Sequence, residues 1–296
     1  MHATGPTARY AVSASQESKT IKTITVTVQP SSNPEATLLV PTGFDDGYER
    51  PCSVELENGA TRTERNAGFL GQTALEVWPD RHGQPVSIRY GFEPSSSVLP
   101  DRVWQPQSNR YTQASQALMG EVRESVNTDL PVHEQIRQLI ETAETHFSYG
   151  HGDGRFNDGE ETVPTVCGTT RGSCVDINTW LLAAAKVLDI PVQYVAGYWF
   201  HPEKTVTHDM HCWMMFRAAG EVVCWDLAHH LKWGVEGRQP GRNPAGGRRV
   251  AMTIGRGLRF EASHGEFTIS HFSEPVWLHP DGTTEDSKRV IQIHEW

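Results

Sequence analysis

The period of the apolar residues changes partway along this chain, and that change limits the fold more than any other feature. Ile24, Val26 and Val28 alternate with threonines, which is the period-two pattern of a half-buried strand. Further short apolar runs are separated by turn signals such as Asp45-Asp46-Gly47 and Asn58-Gly59. Several short strands at this spacing predict a β-sandwich in the first part of the chain.

A helical period begins after a linker rich in Ser and Pro at residues 94–100. Pro131 stands where the first turn of a helix tolerates proline, and the apolar residues that follow fall on one helical face. The strand and helix patterns therefore occupy separate stretches of the chain. Its expected domains are an N-terminal all-β sandwich at 1–105 and a mixed domain at 106–296.

Charge and hydropathy exclude several classes of protein. The 296 residues include 36 acidic and 26 basic side chains, for a formal net charge of −10. Nucleic-acid-binding proteins usually carry a basic face, so no nucleic-acid partner is expected. No apolar run reaches the about 18 residues of a membrane span, and the N-terminal segment lacks the pattern of a signal peptide. We therefore expect a cytoplasmic protein with no membrane partner.

The cysteines favour free thiols over a disulfide scaffold. There are five, an odd number, and none forms a Cys-x-x-Cys pair: Cys52, Cys167, Cys174, Cys212 and Cys224. Disulfide-rich domains favour even numbers, and zinc ribbons favour paired spacings. Most of these residues are therefore expected to be small buried apolar side chains, and sequence context must identify any nucleophile among them.

Cys174 begins an apolar helical segment after a long loop at 150–172. Ser173 and Asp176 have the spacing of a capping box, with an acid in place of the usual Glu or Gln, so Cys174 is the predicted first helical residue. A helix N-terminus lowers the pKa of a thiol, and its free N–H groups can stabilise an oxyanion. Taken alone, the same position is typical of a buried structural thiol.

Two predicted strands joined by Arg217-Ala218-Ala219-Gly220 carry the other catalytic candidates. A symmetric turn centred on this segment pairs His211 with Asp226 directly across the hairpin. Opposed residues have Cβ atoms about 4.5–5.5 Å apart, close enough for a carboxylate to hold an imidazole. The sequence thus predicts a nucleophile at Cys174, a base at His211 and an orienting acid at Asp226.

These motifs resemble the transglutaminase-like superfamily. The resemblance covers about Tyr111 to Leu231 and rests on Gly172-Ser173-Cys174, Leu188-Asp189-Ile190-Pro191, Met210-His211-Cys212-Trp213 and Trp225-Asp226. It implies an α+β fold with a papain-like core in which a cysteine on a helix meets a histidine and an aspartate on neighbouring strands, and it assigns Cys174, His211 and Asp226 to those roles. The first domain is similar to that of bacterial members described as candidate cysteine proteases.

The expected reaction is acyl transfer at an amide bond through a thioester on Cys174, with a peptide or protein amide as substrate. Water as acceptor gives a cysteine peptidase or amidase, whereas an amine gives a protein-glutamine transglutaminase. The resemblance to bacterial members favours hydrolysis. An inactive binding or scaffolding module with the same fold is the alternative of another class. No cofactor is expected, because no calcium loop of the Asp-x-Asp-x-Asp type occurs.

A metal site is a weaker interpretation of the same region. His208, Asp209, His211 and Cys212 are close in sequence, with His229-His230 nearby. Residues 211 and 212 point to opposite faces of a strand and cannot both bind one ion, so no metal is expected.

The residues after Asp226 differ from those of many relatives, which have proline directly after the aspartate, whereas this chain has Leu227. His229-His230 is expected to be a partly exposed pair.

Three further sets of residues either have an undecided role or are expected to have an ordinary structural one. Tyr149 and Trp180 are the candidates for completing the oxyanion hole. Core packing is favoured over a substrate-stacking platform for four tryptophans: Trp199, Trp213, Trp225 and Trp233. Solvated faces are expected for two basic pairs: Arg248 with Arg249, and Arg256 with Arg259.

Overall fold

The computed structural model describes residues 21–235 and 237–294. The helices in this part of the chain are α1 (Gln116–Ser125), α2 (Val132–His146), α3 (Cys174–Val187) and α4 (Leu227–Trp233). The first strands are β1 (Lys22–Val28), β2 (Thr37–Pro41), β3 (Glu49–Glu57), β4 (Gly59–Asn66), β5 (Thr73–Pro79) and β6 (Val86–Pro94). The central strands are β7 (Phe147–Tyr149), β8 (Thr170–Gly172), β9 (Val192–Phe200), β10 (Val206–Thr207), β11 (Met210–Ala218) and β12 (Glu221–Trp225). The last strands are β13 (Arg248–Ile254), β14 (Leu258–Ala262), β15 (Gly265–Ile269), β16 (Val276–Leu278), β17 (Thr284–Asp286) and β18 (Arg289–Ile293).

The six N-terminal strands and four later ones form two five-stranded sheets that pack face to face. Their strand orders are β10-β18-β1-β6-β3 and β17-β16-β2-β5-β4. Ile24 and Val26 of the first sheet share one buried apolar cluster with Leu38 and Val77 of the second. The alternating pattern places these side chains on inner faces, as expected for a strand with one buried face. The predicted α+β class with an N-terminal β-sandwich is confirmed.

The last strands of the chain complete this sandwich. β18 pairs with β1, with Ile291 opposite Val26, and β16 pairs with β2, with Val276 opposite Leu39. The sequence prediction instead groups residues 106–296 in one domain. A period-two pattern identifies a strand but not its partner, and these pairings join segments separated by more than two hundred residues.

The core of the second half is a four-stranded antiparallel sheet that packs against α3. The strand order is β12-β11-β9-β13. Tyr194 and Met214 on one face share an apolar cluster with Leu181 of α3, while Trp213 and Met215 face the other side. α2, which begins after Pro131 as predicted, packs on α3 together with α1. The nucleophile candidate therefore lies on a helix that is covered on both sides.

The core sheet and the sandwich share apolar packing at one end. Tyr198 and Phe200, at the end of β9, join the sandwich cluster together with Val250 and Met252 of β13. The core sheet is therefore joined to the sandwich through this shared apolar cluster. No helix in the described part of the chain is long and apolar enough to cross a membrane.

Candidate active site

Cys174 is the first residue of α3 and is only 6% exposed. The Asp176 carboxylate accepts hydrogen bonds from the Ser173 backbone N–H at 2.9 Å and from its hydroxyl at 2.6 Å, and the predicted capping box is confirmed. A Cβ added at Gly172 would lie 2.6 Å from the Phe147 ring, so glycine permits the close approach of β8 and β7. The local sequence thus holds the thiol at the N-terminal end of a buried helix.

His211 and Asp226 are in contact, although not through the predicted pairing. His211 Nε2 lies 2.8 Å from Asp226 Oδ2. The turn is Ala219-Gly220, with φ angles of 52° and 85°, and Met214 lies opposite Trp225. The predicted direct pairing of His211 with Asp226 is therefore wrong by two residues. A shift of two keeps the same face of the sheet, so Asp226, which follows β12, still reaches the imidazole.

Asp226 is buried and bonded on both carboxylate oxygens. The Arg249 guanidinium forms an ion pair with Oδ2, and its Nη2 also donates to His229 Nδ1 at 3.1 Å. The His229 backbone N–H donates to Oδ1 at 3.0 Å, because Asp226 caps α4. The His211 and His229 rings stack with centroids 4.0 Å apart and planes 16° from parallel. These contacts leave Asp226 little freedom to move.

Sequence reasoning missed several of these groups. Arg249 and Arg256 were expected on solvated faces, but they are 1% and 4% exposed. His229 and His230, expected to be partly exposed, are 2% and 3% exposed on α4. Two signals were available in the sequence. Arg249 comes directly before an apolar run in its strand, where a buried cation requires a carboxylate, and Asp226 is a favoured helix N-cap.

The site favours a charged Cys174–His211 pair. A hydrogen bond with the Cys212 thiol and one with His211 hold the pKa of Cys174 well below its ordinary value, against burial, which raises it. Burial lowers the pKa of His211. The charge of Asp226 and the hydrogen bond with it outweigh this effect, so the pKa of His211 lies above its ordinary value. Burial and the neighbouring charge of His211 lower the pKa of His229 to about 2, so His229 remains neutral.

One group of possible metal ligands occurs at this site among the described residues. His211, Asp226 and His229 each offer one ligand atom, and these atoms lie within 4.8 Å of one another. The Arg249 guanidinium already contacts two of these ligand atoms, on Asp226 and His229. Because a cation would meet this fixed positive charge, the donor set does not fit a metal ion.

A cleft of about 540 Å³ opens beside Cys174 and His211. Of the two oxyanion candidates, Tyr149 lines this cleft, whereas Trp180 is fully buried and does not. Burial and the charge of a Cys174 thiolate raise the pKa of Tyr149, so its hydroxyl stays protonated.

The four tryptophans fall into two groups. Trp213 and Trp225 belong to the core, as expected, whereas Trp199 and Trp233 line the cleft.

Comparison with known proteins agrees with the predicted resemblance. Residues 112–229 match the family model of the transglutaminase-like superfamily, which confirms the resemblance over this part of the chain. Among solved structures, a candidate cysteine protease from Cytophaga hutchinsonii is 13% identical, with a TM-score of 0.49, over 93% of this chain and 97% of that one. The periplasmic domain of TgpA from Pseudomonas aeruginosa bound to ethylmercury is 15% identical, with a TM-score of 0.33, over 74% and 93%. No curated protein sequence matches the chain.

Proposed function

Because residues 112–229 match the transglutaminase-like superfamily, which is a cysteine-based acyl-transfer and hydrolase family, we propose that this protein transfers acyl groups from amides through a thioester on Cys174. One observation carries the proposal. A thiol at a buried helix N-terminus has a pKa lowered by hydrogen bonds with the Cys212 thiol and with an imidazole, and that imidazole is held by a buried carboxylate. The roles proposed are nucleophile for Cys174, general base and acid for His211, and orienting acid for Asp226.

The first half of the reaction forms the thioester. His211 uses Nε2 to bond Asp226, which leaves Nδ1 available to Cys174. The Cys174 thiolate attacks the amide carbon, and the developing oxyanion is stabilised by the N–H groups of the first helical turn and by the Tyr149 hydroxyl. The C–N bond then breaks as the His211 imidazolium gives its proton to the leaving amine. Asp226 stabilises the imidazolium while it carries the charge.

The second half returns the free enzyme. Neutral His211 takes a proton from water, and the hydroxide attacks the thioester carbon, which releases a carboxylic acid and the Cys174 thiolate. Hydrolysis is the preferred outcome because the cleft has many polar and charged side chains and so admits water. An amine that enters in place of water gives transamidation by the same steps. The cytoplasmic location stays a prediction, and it agrees with five free thiols.

The test is alkylation of the protein by iodoacetamide as a function of pH, with mass spectrometry to locate the modified cysteine. We expect Cys174 to react fast at about pH 6, where an ordinary thiol is almost fully protonated. His211→Ala should fold normally and lose this advantage, because the partner that stabilises the thiolate is gone. The exposed thiols Cys52 and Cys167 are internal references. If Cys174 reacts no faster than they do, the catalytic proposal fails and the binding-module alternative takes its place.

A further inference from the structure

The cleft beside Cys174 is cationic, although the whole chain has a formal net charge of −10. Its charged lining consists of four cationic side chains and two acidic ones: Arg155, Lys204, Lys232 and Arg289, with Asp209 and Glu274. The catalytic Asp226 adds little negative charge to the cleft, because Arg249 is paired with it below the surface. A concave surface of one charge focuses the field and concentrates ligands of the opposite charge.

Two of the four cations have their own carboxylate partners. Arg155 lies 3.2 Å from Asp176, and Arg289 forms an ion pair with Glu274. Within residues 21–235 and 237–294, no carboxylate pairs with Lys204 or Lys232. Asp209 is the remaining acid of the lining, so these two ammonium groups leave the cleft an excess of one positive charge.

Lys232 is the cation whose position is best defined. Its Nζ lies 5.3 Å from the ring centroids of both Tyr149 and Trp233, which is cation–π distance. It stands one helical turn after His229 on α4, and His229 stacks on His211. Residues three apart lie on the same face of a helix, with a rise of about 4.5 Å between them. The ammonium is thus held at the cleft wall, close to the catalytic imidazole.

We propose that this cleft selects acyl donors that carry a carboxylate next to the reacting amide, and that Lys232 is the residue that recognises it. The carboxylate belongs either to an acidic side chain or to the C-terminus of a short peptide, since both present the same anion. This inference rests on the proposed function, because it takes Cys174 as the position where the acyl group reacts. It adds a substrate class, which the triad alone does not specify.

The test uses three chloroacetyl probes that alkylate a thiolate with loss of chloride. N-chloroacetyl-glutamine amide is neutral, N-chloroacetyl-glutamic acid α-amide carries a side-chain carboxylate, and N-chloroacetyl-glutamine carries a terminal carboxylate. The second-order rate of modification at Cys174 is measured by mass spectrometry for the full chain. We expect one anionic probe to react about fivefold faster than the neutral probe at about 10 mM salt, and this preference should nearly vanish at about 0.5 M.

Two variants separate Lys232 from other sources of positive charge. Lys232→Gln should lower the preference for the anionic probe to about twofold or less. Arg81→Gln removes the same charge from an exposed loop outside the cleft and should leave the preference unchanged. Because His211 attracts anions in every variant, only the change between variants reports on Lys232. Thermal unfolding checks that both variants are folded.

The outcomes distinguish the inference from the proposed function. If Cys174 is reactive but modifies the neutral probe as fast as both anionic probes, the inference is wrong and the catalytic proposal stands. A preference that survives in Lys232→Gln also overturns it, because the selectivity then has another origin. If Cys174 reacts no faster than Cys52 with any probe, the proposed function fails and the inference fails with it.

Discussion

The second cysteine of the site, Cys212, is a hydrogen-bond partner of Cys174. Burial, and then the hydrogen bond with Cys174, raise the pKa of Cys212 well above its ordinary value, so Cys212 stays protonated. Its S–H can therefore donate to the Cys174 thiolate. Asn178 lies one turn after Cys174 on α3 and holds Cys212 in place. Its side-chain Nδ2 lies 3.0 Å from the Cys212 carbonyl oxygen and 3.4 Å from the Cys212 sulfur. At the residue scale, the thiolate thus depends on a thiol as well as on an imidazole.

Replacing Cys212 should make Cys174 less acidic. In Cys212→Ala the S–H donor is lost, so the pKa of Cys174 rises and the midpoint of its alkylation–pH curve moves to higher pH. Cys224→Ala is the matched control, because Cys224 is also a buried thiol but interacts with Arg242, Asp46, Arg249 and Tyr48 and not with Cys174. An unchanged midpoint in Cys212→Ala would show that Cys212 only fills space.

Asp226→Asn should separate catalysis from stability. The amide cannot stabilise the His211 imidazolium, so amide turnover should fall by about 10³–10⁴. The same change leaves the buried Arg249 without its counter-ion and should destabilise the fold by about 3–5 kcal/mol. Adding Arg249→Met removes the unpaired charge, so the double variant should regain stability in urea unfolding without regaining turnover. A loss of turnover below about tenfold would rule out the proposed role of Asp226.

At the scale of secondary structure, the beginning of α3 could be read from the sequence, while the hairpin could not. Ser173 and Asp176 are local neighbours, and their spacing was sufficient to place Cys174 at the helix start. The hairpin register instead depends on Ala219, which adopts a left-handed φ of 52° that alanine rarely takes. No sequence rule favours that turn over one centred a residue earlier. The contact between His211 and Asp226 was nevertheless predicted, because both registers place His211 on the same face of the sheet.

The cap of α3 should affect both stability and the reactivity of Cys174. Ser173→Ala removes the hydroxyl from the cap and should cost about 1 kcal/mol. It should also slow alkylation of Cys174, because the first turn that positions the thiol frays. Ser115→Ala is the matched control: Ser115 caps α1 by accepting from the Leu118 N–H, away from the cleft. We expect both variants to lose the same stability, and we expect slower alkylation of Cys174 only in Ser173→Ala. Equal alkylation in both would mean that the cap does not position the nucleophile.

At the scale of the whole molecule, the pairing of β1 with β18 could not be predicted from the sequence patterns. The strands near both ends have recognisable periods, but nothing local to β18 specifies β1 as its neighbour. The pairing matters for the site because β18 and β9 contribute to the same apolar cluster, and β9 also pairs with the strand that carries His211. The sheet that carries His211 is therefore attached to the sandwich through buried side chains. We expect the two parts to unfold together.

A pair of neighbouring substitutions in β18 tests this coupling. Ile291 is fully buried in the sandwich cluster, whereas Val290 is 36% exposed. Ile291→Ala should lower the free energy of unfolding by about 2–4 kcal/mol, and Val290→Ala by about 0.5 kcal/mol or less. Urea unfolding is followed by tryptophan fluorescence and by the accessibility of Cys174 to iodoacetamide. If the molecule is one cooperative unit, both probes move to the same lower midpoint in Ile291→Ala. A Cys174 transition that stays at the wild-type midpoint would mean that the core unfolds independently of the sandwich.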